Sequence, residues 1–284
     1  MKEFKNKVVV VTGAASGIGK GLASHCVERG MKVVLADIEE APLQETKQSF
    51  QDQGAEVLAI RTDVSKLPDV EVLAEKTIET YGSVDLLFNN AGVIGALGLP
   101  WESTQSDWQW IIGVNLWGII HGIKVFVPIM LRQGSDCHIV NTASIAGLST
   151  VPVAAYAMTK HGIIGLTEAL YLQLREVNAR IGVSVLCPRV IRSRIHESDR
   201  NRPAELRNEV ESPPLTPQQQ VTLERFLKML ETAMTPEQYA EKVFNAIEED
   251  KFYVFSEDKY RENIQQRMGI ILGEGSPELS KHYP

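Results

Sequence analysis

The sequence predicts a three-layer α/β/α fold in which one doubly wound parallel sheet lies between two layers of helices. Short apolar runs alternate with amphipathic segments along the chain, and such alternation builds parallel sheets through right-handed crossovers. Glycines follow the first apolar run. Polar or glycine residues follow the first five such runs, at the sheet edge where ligands bind. We therefore expect a single domain spanning residues 1–284.

The composition restricts the possible partners and chemistry. The formal charge is −7 and the pI about 5.5, which argues against nucleic-acid and membrane partners because both require a basic surface. Three cysteines without C-x-x-C spacing, and the lack of an N-x-S/T sequon, predict a reducing, cytoplasmic location. Residues 1–7 lead directly into an apolar strand, without the apolar core of a signal peptide. The six histidines lack metal-ligand spacing, so we predict no metal site.

The first strand is predicted at residues 8–11, a β-branched run typical of a strand buried on both faces. The segment T-G-A-A-S-G-I-G follows at residues 12–19, and a helical pattern continues to about residue 30. A strand, a glycine turn and a helix N-terminus together present N–H groups to a phosphate, as in Rossmann-type sites. The spacing G-x-x-x-G-x-G differs from the common G-x-G-x-x-G. The candidate cofactor residues of this turn are Gly13, Ser16, Gly17, Ile18 and Gly19.

A second strand is predicted at residues 32–36 and ends in Asp37, 18 residues after Gly19. An acid at this point accepts hydrogen bonds from both ribose hydroxyls of an adenosine and repels a 2′-phosphate, which favours NAD over NADP. The alternative is that Asp37 only caps a helix or a turn.

The alternation then continues through two further strand and helix pairs. Helices are predicted at residues 43–53 and 70–81, and strands at residues 57–62 and 84–88. Polar residues again follow each strand. They are Asp63 with Val64 after the third strand, and the N-N-A-G run of residues 89–92, which contains Asn90, after the fourth.

Residues 105–133 are predicted to form one long helix with Asn115 in its middle. Apolar residues nearly surround this helix, so we expect it to pack on most sides, against the sheet and against another subunit. Its polar and proline positions would be rare in a membrane span. A buried asparagine needs partners: Asn115 either satisfies a kink in the helix backbone or, close to Lys160, holds a water that relays protons.

Proton chemistry is predicted in residues 139–160, IVNTASIAGLSTVPVAAYAMTK. A strand ends at Ser144, and a helix then carries Tyr156 and Lys160 four residues apart, on one face. A cation beside the phenol favours phenolate, and a fall of about 3 from a tyrosine pKa of ~10 would allow proton exchange at neutral pH. Ser144 would then hydrogen-bond the same substrate oxygen. The alternative is a solvated helix that carries a tyrosine and a lysine by chance.

Taken in order, these motifs resemble those of the short-chain dehydrogenase/reductase family, over residues 5–193. The resemblance implies a Rossmann-fold domain, a nicotinamide cofactor, carbonyl/alcohol redox chemistry, and a homodimer or homotetramer formed through helices 105–133 and 156–178. The matching motifs are residues 12–19, Asp63, residues 89–92, Asn115, Ser144, Tyr156 and Lys160.

The resemblance also implies a role for each matching residue. Tyr156 is implied as the general acid/base, with Lys160 lowering its pKa and binding the nicotinamide ribose. Ser144 positions the substrate oxygen, and Asn115 anchors the proton-relay water. The implied cofactor contacts elsewhere are Asp63 and Val64 at the adenine and Asn90 after the fourth strand.

One segment departs from the family pattern. After the sixth strand, residues 183–188, the family has P-G-x-V-x-T, whereas this chain reads P-R-V-I-R-S. Arg189 replaces the glycine, which removes backbone freedom and adds a cation. We expect Arg189 to point to solvent; the alternative is that Arg189 or Arg192 contacts an anionic substrate group. The residues implied to contact the nicotinamide are Pro188, Ile191 and Ser193.

The segment of residues 194–235 is polar, with Pro203, Pro213, Pro214 and Pro217, and predicts a substrate-binding lid. Lids of this length often contain short helices. The elements predicted beyond it are a helix from Thr235 to about residue 249, a strand at residues 252–255, and a tail at residues 258–284 that packs on a neighbouring subunit.

The substrate wall is predicted from residues 94–101, ending in Trp101, and residues 145–155, which are apolar and uncharged. They favour a hydrophobic secondary alcohol or ketone, of aryl, alicyclic or steroid-like type. The alternatives are a pocket built by the polar lid, a reductase of carboxylated ketones that uses Arg189 or Arg192, and a catalytically weak cofactor-binding sensor or scaffold.

Overall fold

A computed structural model describes residues 1–95, 98–209 and 217–281 of the chain. Its seven strands are β1 Val8–Thr12, β2 Lys32–Asp37, β3 Val57–Arg61, β4 Leu86–Asn89, β5 Cys137–Thr142, β6 Ile181–Cys187 and β7 Tyr253–Phe255. They form one parallel sheet in the order β3-β2-β1-β4-β5-β6-β7. The chain reverses direction across the sheet between β1 and β4, which opens a crevice at the carboxyl ends of these strands.

Helices cover both faces of the sheet, which confirms the predicted three-layer α/β/α fold. One face carries α1, α2 and α8, and the other carries α3, α5 and α6. The helices are α1 Gly17–Glu28, α2 Glu40–Asp52, α3 Leu67–Tyr81, α4 Gln105–Ile112, α5 Gly118–Gln133, α6 Ala154–Glu176, α7 Pro217–Thr232, α8 Pro236–Glu248 and α9 Arg261–Leu272.

Strand β1 shows why the strands are continuous apolar runs. Successive side chains point to opposite faces of a strand. Val9 and Val11 accordingly pack with the first helix layer, while Val8 and Val10 pack with the second. All four are buried, and each fully buried side chain of this size contributes roughly 1.5–3 kcal/mol. A polar residue at any of the four positions would be buried on one face or the other.

The helix predicted at residues 105–133 is continuous but not regular. A π-helical turn, Gly113–Trp117, joins α4 to α5, and the N–H of Gly118 donates to the carbonyl of Gly113, five residues earlier. By length and composition alone, Gln105–Gln133 is apolar enough to cross a membrane, a test that core helices of soluble proteins also pass. Here both halves bury residues against the rest of the domain.

The predicted lid contains two short 3₁₀ segments, Ile195–Asn201 and Ala204–Leu206, followed by α7. Helix α8 begins as predicted: Thr235 is its N-cap and accepts a hydrogen bond from the N–H of Gln238. Two parts of the sequence predictions, residues 96–97 of the substrate wall and residues 210–216 of the lid, lie outside the described residues.

The C-terminal segment folds back on its own chain. The N–H and hydroxyl of Ser280 donate to the carbonyl of Thr150, at 3.2 and 2.8 Å. Gln266 of α9 holds the same segment, since its side chain donates to the carbonyl of Leu279 at 3.2 Å and accepts from the N–H of Lys281 at 3.0 Å. These contacts attach the end of the chain to the loop that precedes α6 of its own subunit, and packing on a neighbouring subunit stays a prediction.

Candidate active site

The glycine turn between β1 and α1 forms a cradle at the sheet edge. Gly13 and Gly17 have φ values of +68° and +52°, in the left-handed region that favours glycine. A Cβ on Gly13 would lie 2.9 Å from Ala91 Cα, and one on Gly19 would lie 2.0 Å from the carbonyl oxygen of Gly13. Within the described residues, the α1 N-cap Ser16 makes no side-chain cap bond. The first N–H groups of α1 are thus presented to a ligand in the cradle.

The cradle is braced by the ends of the neighbouring strands. Asn90, after β4, donates from its side chain to the carbonyl of Thr12 at 3.0 Å and accepts from the hydroxyl of Thr142 at 3.2 Å. The Thr12 hydroxyl in turn accepts from the N–H of Asn90 at 2.8 Å. One asparagine therefore ties together the carboxyl ends of β1 and β5, while its side chain lines the cleft.

Asp37 lies at the end of β2 and is 9% exposed. Its Oδ2 accepts from the N–H of Ala15 at 2.9 Å, and its Oδ1 accepts from the N–H of Glu39 at 3.0 Å. Burial raises the pKa of Asp37, and these N–H groups oppose the rise. The Asp37 carboxylate therefore fixes the backbone of the glycine turn and of the loop after β2. Because a carboxylate has about four acceptor positions, it also keeps lone pairs for a ligand in the cleft, which it lines.

Asp63 and Val64 line the cleft next to Asp37, beyond the end of β3. The Asp63 carboxylate accepts from the N–H and hydroxyl of Ser65, at 3.1 and 2.6 Å. The Val64 carbonyl oxygen lies 2.9 Å from Nδ1 of His121. Both contacts fix this loop against its surroundings. No group of three or more metal-ligating residues close enough to hold an ion occurs in the part of the chain that the structure describes.

Ser144, Tyr156 and Lys160 meet in the same cleft. Ser144 follows β5 and caps a 3₁₀ turn, so its hydroxyl is fixed: it accepts from the N–H of Ala146 at 3.1 Å and donates to the carbonyl of Pro188 at 3.3 Å. The Ser144 side chain lies near enough to the Tyr156 phenol to affect its pKa. The Lys160 ammonium lies 5.4 Å from the centre of the Tyr156 ring. The predicted Ser, Tyr and Lys set is therefore assembled by the fold.

The protonation balance differs from the sequence expectation. Burial raises the pKa of Tyr156, and only the nearby Ser144 side chain opposes this rise. Burial lowers the pKa of Lys160 to about 8; its side chain is 3% exposed and donates to the carbonyl of Thr142 at 3.0 Å. Burial therefore outweighs any lowering of the Tyr156 pKa in this structure, and the role of Lys160 in lowering that pKa stays a prediction. The phenol is protonated at neutral pH.

Asn115 lies behind the cleft, within the π turn. It is fully buried. Its Oδ1 accepts from the N–H of Val93 at 2.8 Å, and its Nδ2 donates to the carbonyl of Val93 at 2.9 Å and to the hydroxyl of Thr159 at 3.2 Å. Both side-chain donors are thus used within the protein. The side chain holds the loop after β4 against the residue that precedes Lys160, and these bonds go to Val93 and Thr159 rather than to the backbone of its own helix.

Arg189 does not point to solvent, contrary to our expectation. Its guanidinium lies 5.1 Å from the centre of the Tyr260 ring and donates to the sulfur of Met229 at 3.7 Å. Met229 of α7 and Tyr260 supply this surface, 40 and 71 residues later in the chain, so no pattern near residue 189 predicts it. The φ of Arg189 is not among the positive values found for non-glycine residues in the described chain, so replacing the family's glycine strains no backbone. Arg192 is exposed and donates to the carbonyl of Glu231 at 3.1 Å.

The remaining predicted cofactor residues, Pro188, Ile191 and Ser193, line the cleft beside Ser144. Among all predicted site residues, only Gly19 and Asn115 stand behind its wall rather than in it. The segment after β6 is therefore placed as the sequence predicts, despite its altered residues. A Cβ on Gly17 would lie 2.9 Å from Cβ of Ser193, which shows how closely this segment approaches the glycine turn.

The substrate half of the cleft is apolar, and the whole cleft encloses about 680 Å³. Trp101, predicted at one end of it, is instead 78% exposed. Trp110 of α4, by contrast, is buried and lines the cleft. Sequence reasoning also missed two polar residues of the C-terminal segment, Asn263 and Ser280. The apolar lining residues include Ile94, Leu99, Pro100, Val114, Val151, Pro152, Leu223 and Phe226.

Two ion pairs fix the first part of the lid across the cleft. Arg200 donates to both carboxylate oxygens of Glu39, at 3.0 and 2.6 Å, and this pairing lowers the pKa of Glu39. Arg202 is buried, lies 2.7 Å from the carboxylate of Asp107, and stacks at 5.3 Å from the ring centre of Trp110. These ion pairs therefore attach the lid to the loop after β2 and to α4.

Comparisons with known proteins agree with this geometry. The model of the family described as short chain dehydrogenase matches residues 7–204. The CLA biosynthesis dehydrogenase/reductase of Lactiplantibacillus plantarum is 36% identical over 98% of both chains. A cyclohexanol dehydrogenase of Acinetobacter sp. strain SE19 is 35% identical over 63% of this chain and 71% of its own. The crystal structure of a short chain dehydrogenase/reductase from Burkholderia phymatum in complex with NAD aligns with a TM-score of 0.93, with 41% identity over 98% of both chains.

Proposed function

The chain belongs to the short-chain dehydrogenase/reductase family of oxidoreductases, and from this premise we propose that it transfers a hydride between NAD and a hydrophobic secondary alcohol or ketone. The observation that carries the proposal is the meeting of Ser144, Tyr156 and Lys160 with the glycine cradle in one cleft. A reaction centre and a dinucleotide-shaped site in one crevice are what hydride transfer requires.

We assign the cofactor to the cradle side of the cleft. The backbone at Gly13 and Gly17 and the N-terminus of α1 would hold the diphosphate, since any side chain at these glycines would fill the cradle. Asp37 would accept hydrogen bonds from the ribose hydroxyls and repel a 2′-phosphate, which favours NAD over NADP. The NAD complex of the Burkholderia relative supports this choice. Further contacts are assigned to Asp63, Val64, Asn90, Pro188, Ile191 and Ser193.

Tyr156 is the proposed general acid/base. The bound nicotinamide supplies the hydride in reduction and accepts it in oxidation. Because its pKa is raised, the Tyr156 phenol is protonated at neutral pH and can donate its proton to the carbonyl oxygen of a ketone. Ser144, which lines the same cleft, would hold the same oxygen. Lys160, with its ammonium 5.4 Å from the ring centre, would stabilise the phenolate that remains.

Asn115 is proposed as a positioning residue and as the anchor of the proton-relay water. Its side chain ties Val93 to Thr159, which is adjacent to Lys160. Since both of its side-chain donors are occupied, we place the relay water at the backbone of the π turn or at the remaining lone pair of Oδ1. In this role Asn115 fixes the position of Lys160 relative to the loop after β4.

The apolar wall supports a hydrophobic substrate. A large apolar surface with few oriented polar groups favours aryl, alicyclic or similar secondary alcohols and their ketones. The related cyclohexanol dehydrogenase is consistent with this class. Arg189 and Arg192 contact the C-terminal half of the chain, so their placement does not favour a clamp for carboxylated ketones. The complete Ser, Tyr and Lys set argues against a sensor or scaffold without turnover.

We also propose a cytoplasmic homodimer or homotetramer, assembled through the long helices. Trp117 in the π turn and Leu172 on α6 are 50% and 65% exposed, and Leu131 of α5 is 44% exposed. Large apolar side chains exposed on adjacent helices favour burial against another subunit. Light scattering coupled to size-exclusion chromatography tests this assignment.

The test of the proposed reaction is Tyr156→Phe, assayed with NADH and a panel of cyclic ketones. Removing only the exchangeable proton should reduce kcat by at least about 10³-fold, while the Kd for NADH, measured by fluorescence titration, stays within about twofold of wild type because the ring is retained. Retention of most of the activity would exclude Tyr156 as the proton donor. Tight NADH binding without turnover of any ketone or alcohol by the wild-type protein would favour the sensor.

A further inference from the structure

The C-terminal segment places an amide side chain in the wall of the cleft. Asn263, in the first turn of α9, is 3% exposed and lines the same cleft as Ser144 and Tyr156. Among the described residues, its Oδ1 has no hydrogen-bond partner. Buried polar atoms are nearly always paired, because an unpaired acceptor has lost its hydration without replacement. The unpaired Oδ1 of Asn263 therefore favours a ligand that can donate a hydrogen bond to it.

Neighbouring contacts hold Asn263 on the substrate side of the cleft. Gln266, one turn further along α9, binds the backbone of residues 279 and 281. Between those two positions, Ser280 binds the carbonyl of Thr150, in the loop that joins Ser144 to Tyr156. The helix that carries Asn263 is therefore attached to the loop that carries the apolar substrate wall.

A second buried atom of the cleft wall, Nδ1 of His196, also lacks a partner among the described residues. His196 belongs to the 3₁₀ segment Ile195–Asn201, which Arg200 latches to Glu39 beside the adenosine side of the cleft. The same segment also contacts the apolar wall, since the N–H of Ile94 donates to the hydroxyl of Ser198 at 3.2 Å. The His196 side chain is 26% exposed, whereas Asn263 is 3% exposed, so an unpaired polar atom is more costly at Asn263.

The apolar lining of the cleft makes a hydrogen bond to Asn263 selective. The rest of that wall includes Val151, Pro152, Leu223 and Phe226, whose side chains offer no hydrogen bond. A polar group in an apolar wall is poorly screened, so a correctly placed donor gains more than it would in water. A substrate that lacks the donor leaves the acceptor unpaired, and this difference produces discrimination.

We propose that Asn263 is a specificity-determining residue that accepts a hydrogen bond from a second hydroxyl group of the substrate, remote from the carbon that is oxidised or reduced. This inference rests on the proposed function and narrows its substrate class to hydrophobic cyclic alcohols and ketones that carry a further hydroxyl. A hydroxyl suits the site because it both donates and accepts, and so pairs with either end of the Asn263 amide.

The test compares cyclohexanol with the 1,2-, 1,3- and 1,4-cyclohexanediols as substrates of the NAD-loaded enzyme. For wild type, kcat/KM for at least one diol should exceed that for cyclohexanol by about tenfold or more. In Asn263→Leu, which is similar in volume but has no polar atom, this ratio should fall to about 1. Gln265→Leu, an exposed amide on the same helix, is the matched control and should retain the wild-type ratio.

A second variant and a second readout keep the inference separate from folding and from the proposed reaction. Asn263→Ala should lose the diol preference too, and thermal unfolding shows whether each variant is folded. If no compound is turned over, the proposed function fails. The rise in Tm caused by each diol in the presence of NADH then still reports on Asn263, and should vanish in Asn263→Leu. A wild type without preference for any diol, in rate or in Tm, or a preference that survives in both variants, overturns the inference.

Discussion

Lys160 is expected to reduce the stability of the folded protein at neutral pH. Its ordinary pKa of 10.5 falls to about 8 on folding, because burial disfavours the ammonium. At about 1.4 kcal/mol for each tenfold change in proton affinity, burying the charge costs about 3 kcal/mol when Lys160 is charged in both the folded and unfolded states. Below pH 8 the full cost is present. Between pH 8 and 10.5 the folded protein releases the proton first, so the cost fades as the pH rises.

Replacing this lysine by methionine removes the charge but keeps much of the side-chain volume. The Lys160→Met variant also leaves the carbonyl of Thr142 without the donor that now lies 3.0 Å away, which costs about 1–3 kcal/mol. At pH 7 the variant should therefore have a free energy of unfolding that is higher than that of wild type by between about 0 and 2 kcal/mol, depending on the cost of the lost hydrogen bond. By pH 10 wild type has recovered about 2.5 kcal/mol. The free energy of unfolding of the variant, relative to wild type, should therefore fall by that amount between pH 7 and pH 10.

Urea denaturation, followed by circular dichroism at pH 7 and pH 10, measures this difference. Lys76→Met, an exposed lysine of α3, is the control and should differ from wild type equally at both pH values. The same Lys160→Met protein should have lost turnover, since the cation beside Tyr156 is gone. A Lys160→Met protein whose difference from wild type is the same at pH 7 and pH 10 would refute the claim that the folded protein holds this ammonium at a cost.

Two further predictions concern the cofactor. Asp37→Ala should lower the ratio of kcat/KM for NAD to that for NADP by about 10- to 100-fold, because it removes charged hydrogen bonds to the ribose and the repulsion of a 2′-phosphate; an unchanged ratio would contradict the assignment to NAD. Glu39→Gln should speed NADH release about 5- to 30-fold, measured by stopped-flow displacement, because it breaks a two-pronged, partly buried ion pair with Arg200, worth about 1–2 kcal/mol. A release rate equal to that of wild type would show that the lid opens elsewhere.

Much of the fold follows from local sequence, because buried parallel strands must be apolar on both faces. The run at Val8–Thr12 is such a strand, and the polar residues that follow each strand reach a common edge by topology alone. For the same reason, the glycine turn, Ser144 and Asp37 are brought to one cleft as the sequence predicts. Strand and helix ends shifted by a few residues, as for β4, which begins at Leu86 rather than at residue 84.

The substrate wall and the surroundings of Arg189 depend instead on contacts between parts of the chain that are far apart in sequence. Asn263 and Phe226 reach the substrate wall from segments that carry no recognisable motif, and Arg189 packs on Tyr260, 71 residues later. The Tyr156 pKa depends on burial, which a Y-x-x-x-K spacing does not encode. The sequence therefore predicts the reaction centre far better than the surface that selects the substrate.

The π turn changes how the apolar positions of its helix are distributed. An α-helix advances about 100° per residue, so the wider turn at Gly113–Trp117 rotates every later position relative to the earlier ones. Trp110 and Ile111, before it, pack beside the cleft, whereas Phe126 and Met130, after it, pack under the sheet. Each half is amphipathic, but the two apolar stripes are out of phase. Projected onto one regular helix, the two stripes together cover most of the circumference. The stretch therefore looks like a membrane span, although each half keeps an exposed side.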